Sequence, residues 1–486
     1  MFAEYVFEQS GAEYANRILL LDDAHLDETA HFSDAFSSHG FEVIRFTDDL
    51  SFRIKYEEKL KSGVGKIAVL ADSTTYVPYD IRCRFRGYSV SLSKLFPKLN
   101  ALVLEERKPD LDLLCMAYES NYRALTSRND TQRFVRETAF GRENVQRFLS
   151  CQRELLTQQA QVCDSYRHWF AIADRKAYLD VMATECDAPF DTTEINILFV
   201  DWVTRKFGAL SGEVDEETPV LVSRAMEFMR EQSDKFAVIV MDGMSEFDWR
   251  VLSRSFQEIA FEKTSAFAMI PTVTSVSRQC LLSNKYPSQL WSPWSQGKEK
   301  NEFVACAKRM GFSDVQISYA RGYDADFSAL TRCAAVIIMD IDDLAHSQKQ
   351  GRIGMLNDVN VMAKRNALSN MVKRLLSQNF DVYISSDHGN TPCVGVGKLA
   401  GNGVEIETRS HRMLVLKEIA DKENLKAKYG LREYPKYYLP KNYDYLVCDI
   451  GTSLDAKGVN VMNHGGISID EVVVPFIKIK AVQTNG

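Results

Sequence analysis

The sequence lacks an apolar stretch long enough to cross a lipid bilayer. A membrane-spanning helix needs about 20 consecutive apolar residues, and no run in this chain of 486 residues approaches that length. The first residues, Met1-Phe-Ala-Glu-Tyr-Val-Phe-Glu8, contain acids and lack the basic start and long apolar core of a secretory signal. We therefore expect a cytoplasmic protein with no membrane contact.

Paired cysteines and an excess of positive charge are missing as well. The ten cysteines are scattered without a Cys-x-x-Cys pair, which excludes a zinc knuckle and a disulfide framework. We expect most of them to be reduced and buried. The net charge of −7 excludes a broadly basic surface for coating nucleic acid, although a local basic groove stays open. No internal repeat or low-complexity segment stands out.

What is present is the composition of an ordinary globular protein, with 45% hydrophobic and 26% charged residues. The length predicts roughly two to four domains. Residues 17 to about 105 alternate apolar strands with helical stretches, which is typical of a small parallel α/β module. We predict three parts: this module at 1–108, a helical region at 109–232, and a larger α/β domain at 233–486.

The module at 1–108 has acidic residues at the ends of its predicted strands, 17–22, 41–46 and 66–71. Asp22 and Asp23 end the first and Asp72 the third, while Lys108 follows the apolar Leu102-Val-Leu104. This order resembles a phospho-acceptor receiver domain, but only 36 residues separate Asp72 from Lys108. A structural α/β domain is the favoured interpretation.

The region at 109–232 has apolar residues at three- and four-residue intervals, which predicts helices. The predicted segments are 110–126, 145–163, 166–184, 192–208 and 219–233. Basic residues are frequent here, and Trp169 and Trp202 lie among them. Such a face can contact nucleic acid, but a solvated face with the aromatic residues in the core is favoured.

The larger domain has four predicted strands that each end in residues suited to metal or phosphate chemistry. The strands are 236–241, 265–270, 334–339 and 381–386. The carboxyl ends of parallel strands meet at one edge of a sheet. The residues that follow them are Asp242, the hydroxyl cluster Thr272, Thr274, Ser275 and Ser277, the pair Asp342-x-x-x-His346, the pair Asp387-His388, and finally His464.

An isolated Asp-His pair is more often a polar turn than a metal site, but the ordered set contains three carboxylates, three imidazoles and a hydroxyl. That number is enough for two metal ions that clamp the attacking and leaving oxygens of phosphoryl transfer. Mixed nitrogen and oxygen ligands suit Zn²⁺, with Mn²⁺ as the alternative.

This ordered set resembles the alkaline phosphatase superfamily. Pro271-Thr-Val-Thr274, with Ser283-Asn-Lys-Tyr-Pro287 after it, is similar to the nucleophile segment of the nucleotide phosphodiesterase branch, except that the branch has glycine where this chain has Asn284. The segment from His464 to Pro475 resembles the PglZ domain of BREX phage-defence systems and of some response regulators. The resemblance covers about 235–480 and implies a mostly parallel sheet sandwiched by helices.

The resemblance also implies roles for individual residues. One metal site would consist of Asp242, Thr274, Asp387 and His388, and the other of Asp342, His346 and His464. Thr274 would be the nucleophile and would form a phospho-threonine intermediate, which water would then hydrolyse. The implied function is a two-metal phosphodiesterase for nucleotides or nucleic acid, with other phage-defence proteins as partners. The alternatives are a phosphomonoesterase with the same site, a defence-complex scaffold with little catalysis, and a receiver-controlled effector.

Three residues are candidate ligands of the substrate phosphate. Arg278 and Arg412 are suited to bidentate phosphate contacts, and His411 lies between Arg409 and Arg412 in a basic cluster. Arg278 is equally compatible with a surface position on a helix. His411 is alternatively a side chain that hydrogen-bonds to a metal ligand or, as we favour, a capping residue.

Overall fold

The computed structural model describes residues 1–62, 64–398, 410–417 and 422–481. These residues form two compact units, Met1–Cys151 and Gln152–Gly486. The division into three parts at 108/109 and 232/233 stays a prediction. None of the described helices has both the length and the apolar character that crossing a bilayer requires.

The first unit contains a four-stranded parallel sheet in the order β2-β3-β1-β4. Its two central strands are mostly apolar and buried because both faces of the sheet are covered there, whereas the two edge strands contain exposed polar residues. The strands are β1 (Arg17–Leu21), β2 (Phe41–Arg45), β3 (Lys66–Ala71) and β4 (Arg86–Ser89). The helices are α1 (Phe2–Ser10), α2 (Leu26–Ala30), α3 (Ser33–Ser38), α4 (Asp49–Ser62), α5 (Tyr79–Arg82), α6 (Leu92–Leu95), α7 (Ala101–Arg107), α8 (Leu111–Glu119) and α9 (Arg128–Phe134).

Helix α7 removes the basis of the receiver comparison. The side chain of Asn100 accepts a hydrogen bond from the backbone N–H of Val103 and so caps a helix at this point. Lys108 therefore follows a helix, whereas the receiver interpretation needs it to follow a strand. That interpretation is wrong, and the structural α/β module is what the unit contains.

Four further helices follow in the chain before the next strand. They are α10 (Arg142–Gln161), α11 (Tyr166–Glu185), α12 (Thr193–Lys206) and α13 (Ala225–Gln232). Trp169 and Trp202 are buried here. Their rings lie 6.1 Å apart, and Trp202 also packs against Phe267 at 5.6 Å. The two tryptophans are therefore core residues, as the favoured interpretation predicts.

The second unit is built on a six-stranded sheet in the order β6-β16-β9-β5-β8-β7. Strands β7, β8, β5 and β9 are parallel, while β16 runs antiparallel to both β9 and β6. The strands of this sheet are β5 (Phe236–Met241), β6 (Glu262–Phe267), β7 (Ile317–Arg321), β8 (Cys333–Ile338), β9 (Asp381–Ser385) and β16 (Val473–Ile479). The predicted fold class, a mostly parallel sheet between helices, is confirmed.

Helices and two small sheets surround this sheet. The helices are α14 (Glu246–Leu252), α15 (Thr274–Ser283), α16 (Glu299–Arg309), α17 (Asp340–Ser347), α18 (Gly351–Arg365), α19 (Ala367–Ser377), α20 (Lys422–Tyr429) and α21 (Ile469–Val472). The small sheets have the orders β14-β10-β15 and β11-β13-β12. Their strands are β10 (Thr391–Gly395), β11 (Met413–Leu416), β12 (Leu431–Glu433), β13 (Asp444–Cys448), β14 (Thr452–Ser453) and β15 (Asn460–Asn463).

Asn284 ends α15 in the left-handed conformation, with a φ of 51°. Asparagine is one of the few residues besides glycine that adopts this conformation readily. Its side-chain oxygen also accepts a hydrogen bond from the backbone N–H of Glu227, at 3.2 Å. The departure from the phosphodiesterase pattern at this position therefore keeps the backbone geometry that glycine would provide.

Candidate metal centre

The seven predicted site residues converge at the carboxyl edge of the central sheet. Asp242 directly follows β5, and its backbone N–H donates to the carbonyl of Ile338 at the end of β8. Asp387 comes two residues after β9, which pairs with the other side of β5. Strand β5 therefore lies between the strands that lead to Asp342 and Asp387, whereas Thr274 follows β6 and His464 lies before β16.

One group of possible metal ligands consists of Asp242, Asp387 and His388, whose ligand atoms all lie within 4.8 Å of one another. All three side chains are buried. The hydroxyl oxygen of Thr274 lies 3.2 Å from Nε2 of His388 and 3.4 Å from Oδ1 of Asp242. Thr274 is the first residue of α15, so the hydroxyl predicted to be the nucleophile sits at a helix N-terminus beside these ligands.

The second group consists of Asp342, His388 and His464, again within 4.8 Å. His346 lies beside it, with Nε2 3.3 Å from Oδ2 of Asp342 and 3.3 Å from Nε2 of His464. The two groups thus share His388, whose ring stacks on that of His464 at 4.1 Å. The side chain of His346 is 47% exposed, which makes it the solvent-facing member of the centre.

The tautomers of the two buried imidazoles are fixed by backbone carbonyls. Nδ1 of His388 lies 3.1 Å from the carbonyl oxygen of Gly389, and Nδ1 of His464 lies 2.9 Å from that of Thr272. Because a carbonyl only accepts, each Nδ1 carries the proton and each Nε2 keeps its lone pair. Metal-binding histidines in proteins are commonly oriented in this way.

Two buried carboxylate oxygens, Oδ1 of Asp342 and Oδ2 of Asp387, have no hydrogen-bond partner among the described residues. Buried polar atoms are nearly always hydrogen-bonded, so such oxygens call for another partner. A cation between carboxylate oxygens and unprotonated imidazole nitrogens supplies one. The donor set therefore fits divalent metal ions of the kind that bind nitrogen and oxygen together.

The electrostatics of the centre follow from burial and crowding. Burial raises the pKa of Asp387 to about 6, against the influence of the nearby Arg278 guanidinium, and burial also raises the pKa of Asp242. Burial acts on Asp342 in the same direction, but the neighbouring imidazoles bring its pKa below the ordinary value. Burial lowers the pKa of His464 to about 4, so that this imidazole is neutral at physiological pH.

Side chains that flank the Asp387-His388 pair link the loop after β9 to the loop after β5. Oγ of Ser386 donates to the carbonyl oxygen of Met241 at 2.6 Å. Nδ2 of Asn390 donates to the carbonyl oxygen of Gly243 at 2.9 Å and to Oδ2 of Asp248 at 2.7 Å. All of these groups are buried. Hydrogen bonds on both sides of the ligand pair therefore fix its position relative to the neighbouring strand.

Arg278 is buried in α15 and faces the first ligand group, which excludes a surface position. Its Nη1 lies 2.5 Å from Oδ2 of Asp242, and its Nε lies 2.7 Å from Oε2 of Glu299. The guanidinium is thus held between two carboxylates. Nothing in the sequence marks Glu299 as part of the site, because it lies in a helix far from the motifs and meets Arg278 only through the fold.

The other two predicted substrate ligands are also engaged with acids. Arg412 is buried and forms a bidentate pair with Glu471, at 2.8 and 3.1 Å. His411 is half exposed, and its Nδ1 lies 2.6 Å from Oδ1 of Asp455. Arg409 lies outside the described residues. A role of Arg278, His411 and Arg412 in substrate binding stays a prediction.

Comparisons with known proteins place this architecture among alkaline phosphatase-like folds. The sequence profile of the BREX system PglZ alkaline phosphatase-like domain matches residues 221–479. No curated protein sequence matches the chain. Among solved structures, murine ectonucleotide pyrophosphatase/phosphodiesterase 5 is 13% identical and has a TM-score of 0.34, with 50% of this chain and 88% of that chain covered.

Phosphonoacetate hydrolase from Sinorhizobium meliloti 1021 is a further structural neighbour. It is 10% identical and also has a TM-score of 0.34, and the match covers 52% of this chain and 92% of that one.

Proposed function

This chain belongs to the family of BREX system PglZ alkaline phosphatase-like domains, and from that premise we propose that it is a cytoplasmic two-metal phosphodiesterase acting on nucleotides or nucleic acid. The observation that carries the proposal is the position of Thr274, whose hydroxyl lies beside two ligand groups that share His388. The proposed location agrees with ten cysteines that are all free thiols, as in a reducing compartment.

The ligands of the two ions would be the predicted ones, with His388 placed between them. Asp242, Thr274, Asp387 and His388 would hold the first ion, and Asp342 and His464, with His346 at the solvent side, would hold the second. When bound, Zn²⁺ or Mn²⁺ would supply positive charge to the phosphate oxygens and make the threonine hydroxyl more acidic.

The chain's own residues then account for the transfer. Oγ1 of Thr274 forms a bond to phosphorus while the ester oxygen of the leaving alcohol departs from the opposite side. The hydroxyl, which hydrogen-bonds to Oδ1 of Asp242 at 3.4 Å, releases its proton to solvent as the bond to phosphorus forms. Water then attacks the phospho-threonine and restores the hydroxyl. The carbonyl of Gly389 holds the His388 ring in orientation throughout.

Charge balance favours a diester over a monoester. A monoester carries close to two negative charges at neutral pH, whereas a diester carries one. Arg278, which lies on the same helix as Thr274 and contacts Asp242, is already neutralised by Asp242 and Glu299. A singly charged substrate therefore fits the remaining charge better. Phosphomonoester hydrolysis at the same site is the alternative function.

Hydrolysis of bis-p-nitrophenyl phosphate tests this function. We expect the purified protein to hydrolyse the diester with Zn²⁺ or Mn²⁺ and faster than p-nitrophenyl phosphate, and we expect Thr274→Ala to lose at least about 10³-fold in kcat. Ser277→Ala, which removes a hydroxyl from the same helix without touching the ligand groups, serves as the control. Faster monoester turnover would support the monoesterase, and no turnover of either ester would support a defence-complex scaffold.

The biological setting in phage defence, with other defence-system proteins as partners, belongs to the same proposal. It is supported by the family to which the chain belongs. Co-purification of the tagged protein with products of its neighbouring defence genes would test it, and isolation of the chain alone under those conditions would argue against it.

A further inference from the structure

The carboxylate of Asp242 has its two oxygens committed to different partners. Oδ2 lies 2.5 Å from Nη1 of Arg278, whereas Oδ1 lies 3.4 Å from the Thr274 hydroxyl and 3.6 Å from Nε2 of His388. Only Oδ1 therefore faces the side on which a metal ion and the nucleophile meet. A carboxylate free to rotate would present either oxygen.

Arg278 is itself held in place by Glu299, the first residue of α16. Oε2 of Glu299 accepts from Nε of Arg278 at 2.7 Å, while Oε1 accepts from Nη2 of Arg321 at 2.6 Å and from the hydroxyl of Tyr319. Glu299 is buried despite its charge. A buried carboxylate is tolerated only where it is paired and hydrogen-bonded, and Glu299 has three donors.

These contacts form a continuous chain from the outer strand β7 to a metal ligand. Arg321 and Tyr319 belong to β7 and hold Glu299, which holds Arg278, which in turn holds Oδ2 of Asp242. A guanidinium fixed at Nε by one carboxylate and at Nη1 by another cannot turn its fork to a phosphate without breaking one of the two pairs. Its geometry is that of a support for Asp242.

We propose that Arg278 is a positioning residue for Asp242 and that Glu299, held by Tyr319 and Arg321, is the group that keeps it in position. The inference rests on the proposed metal centre and assigns to Arg278 a role other than binding the substrate phosphate. It adds Glu299, Tyr319 and Arg321 to the residues on which the centre depends.

The test measures metal affinity separately from catalysis. Zn²⁺ or Mn²⁺ binding to metal-free protein is followed by competition with a chromogenic chelator, which yields the affinity of each of two equivalents. Outer-shell partners typically contribute 10- to 100-fold to metal affinity. We expect Glu299→Gln to weaken one equivalent by about 10-fold or more and to leave the other unchanged. At saturating metal the KM for bis-p-nitrophenyl phosphate should stay unchanged.

Two further variants make the result specific. Glu302→Gln is the matched control, because Glu302 is buried on the same helix and pairs with Lys285, at 2.7 Å, away from the ligands; it should leave both affinities unchanged. Tyr319→Phe removes a single hydrogen bond to Glu299 and should shift the same equivalent in the same direction by less. It keeps the test open if Glu299→Gln fails to fold.

The proposal is overturned if Glu299→Gln and Arg278→Lys bind both equivalents as wild type does while the KM for the diester or the inhibition constant of inorganic phosphate rises. That result would make Arg278 a substrate ligand. A wild-type protein that binds two metal ions but hydrolyses no ester would contradict the proposed function alone. A wild-type protein that binds no divalent metal would contradict both.

Discussion

His388 is the residue that the two candidate metal-ligand groups have in common. Its Nε2 belongs to each of the two ligand groups, while Nδ1 is used by the carbonyl of Gly389. The motifs in the sequence contain the residues of both groups, whereas the family resemblance assigns His388 to the first group alone. Sharing arises from the stacking of His388 on His464, residues that lie far apart in the chain, and spacing carries no signal for such a contact.

The shared position predicts different metal losses for two histidine variants. His388→Ala should abolish both metal equivalents, because it removes a ligand from each group. His346→Ala should weaken only the second equivalent, since His346 contacts Asp342 and His464 but not the first group. Metal content after dialysis, measured by elemental analysis, distinguishes them. Retention of one full equivalent by His388→Ala would show that the ion sites do not share this ligand.

The raised pKa of Asp387 predicts pH-dependent metal binding. Its carboxyl group is protonated below a pKa of about 6, and metal must displace that proton. Affinity at the first site should therefore fall by about 10-fold per pH unit below pH 6 through Asp387, and more steeply where Asp242, whose pKa is also raised by burial, is protonated as well. The measurement is best made on His346→Ala. The hydrogen bond to Asp342 raises the pKa of His346, so protonation of this imidazole would add its own pH dependence to metal binding, and the variant removes it.

His464 does not contribute to this pH window, because its pKa of about 4 leaves it neutral there. An affinity that stays constant between pH 5 and 7 would mean that Asp387 is ionised throughout and that its burial does not hinder ionisation.

At the scale of single elements, the loops that follow β5 and β9 depend on Asn390 as much as on the ligands. Asn390→Ala leaves the buried Gly243 carbonyl without its side-chain donor and removes one of three donors to Oδ2 of Asp248, which costs about 1–3 kcal/mol. We expect this loss in the free energy of unfolding of the metal-free protein, measured with urea. Asn460→Ala, at an exposed position on β15, should change it by less than about 0.5 kcal/mol. Equal effects would refute the linking role.

The end of α15 gives a second prediction at this scale. Asn284→Ala places an ordinary side chain at a φ of 51° and should cost about 1–2 kcal/mol. Asn284→Gly should cost less, because glycine adopts this conformation freely. Thermal unfolding of the two variants compares them. Both variants lack the hydrogen bond from Glu227, so a glycine variant less stable than the alanine variant would show that the left-handed conformation does not decide stability at this position.

The predicted boundaries of strands and helices agree with the structure for some elements and differ for others. Strands at 236–241, 334–339 and 381–386 are confirmed to within one residue, because they are buried on both faces and uniformly apolar. The strand predicted at 265–270 runs instead over Glu262–Phe267, since its pairing with β16 extends into polar residues and ends before Ala268. Helices α18 and α19 are two helices and not one long one, because Asn366, with a φ of 54°, interrupts the α-helical backbone between them.

At the scale of the whole molecule, the metal centre should be coupled to the stability of the second unit. Ligands come from loops after β5, β8 and β9 and from the segment before β16, so the site exists only when these elements are assembled. Metal at 100 times its Kd should add about 2.7 kcal/mol per site to the free energy of unfolding. His388→Ala should show no such gain. Equal stabilisation of the variant would point to metal binding elsewhere.

The organisation of the chain as a whole was predictable only in part. The order of motifs identified the C-terminal fold because four strand ends in one parallel sheet share an edge. The sequence pattern predicts helices between Leu111 and Gln232, but it does not show which part of the chain their apolar faces pack against. Tertiary packing decides this, since the apolar face of a helix carries no label for its partner. The contact Arg278–Glu299 has the same character, because neither residue lies in a motif that requires the other.

Trapping the covalent intermediate tests directly whether Thr274 is the nucleophile. Metal-loaded protein is mixed with bis-p-nitrophenyl phosphate, quenched in acid within the first turnover, digested, and analysed by mass spectrometry. We expect an adduct on Thr274 in which the phosphoryl group keeps one p-nitrophenyl ester, after loss of the other as p-nitrophenol; this adduct should be absent when the metal is removed and absent in Thr274→Ala. Turnover without an adduct on Thr274, or with an adduct on Ser275 or another residue, would contradict it.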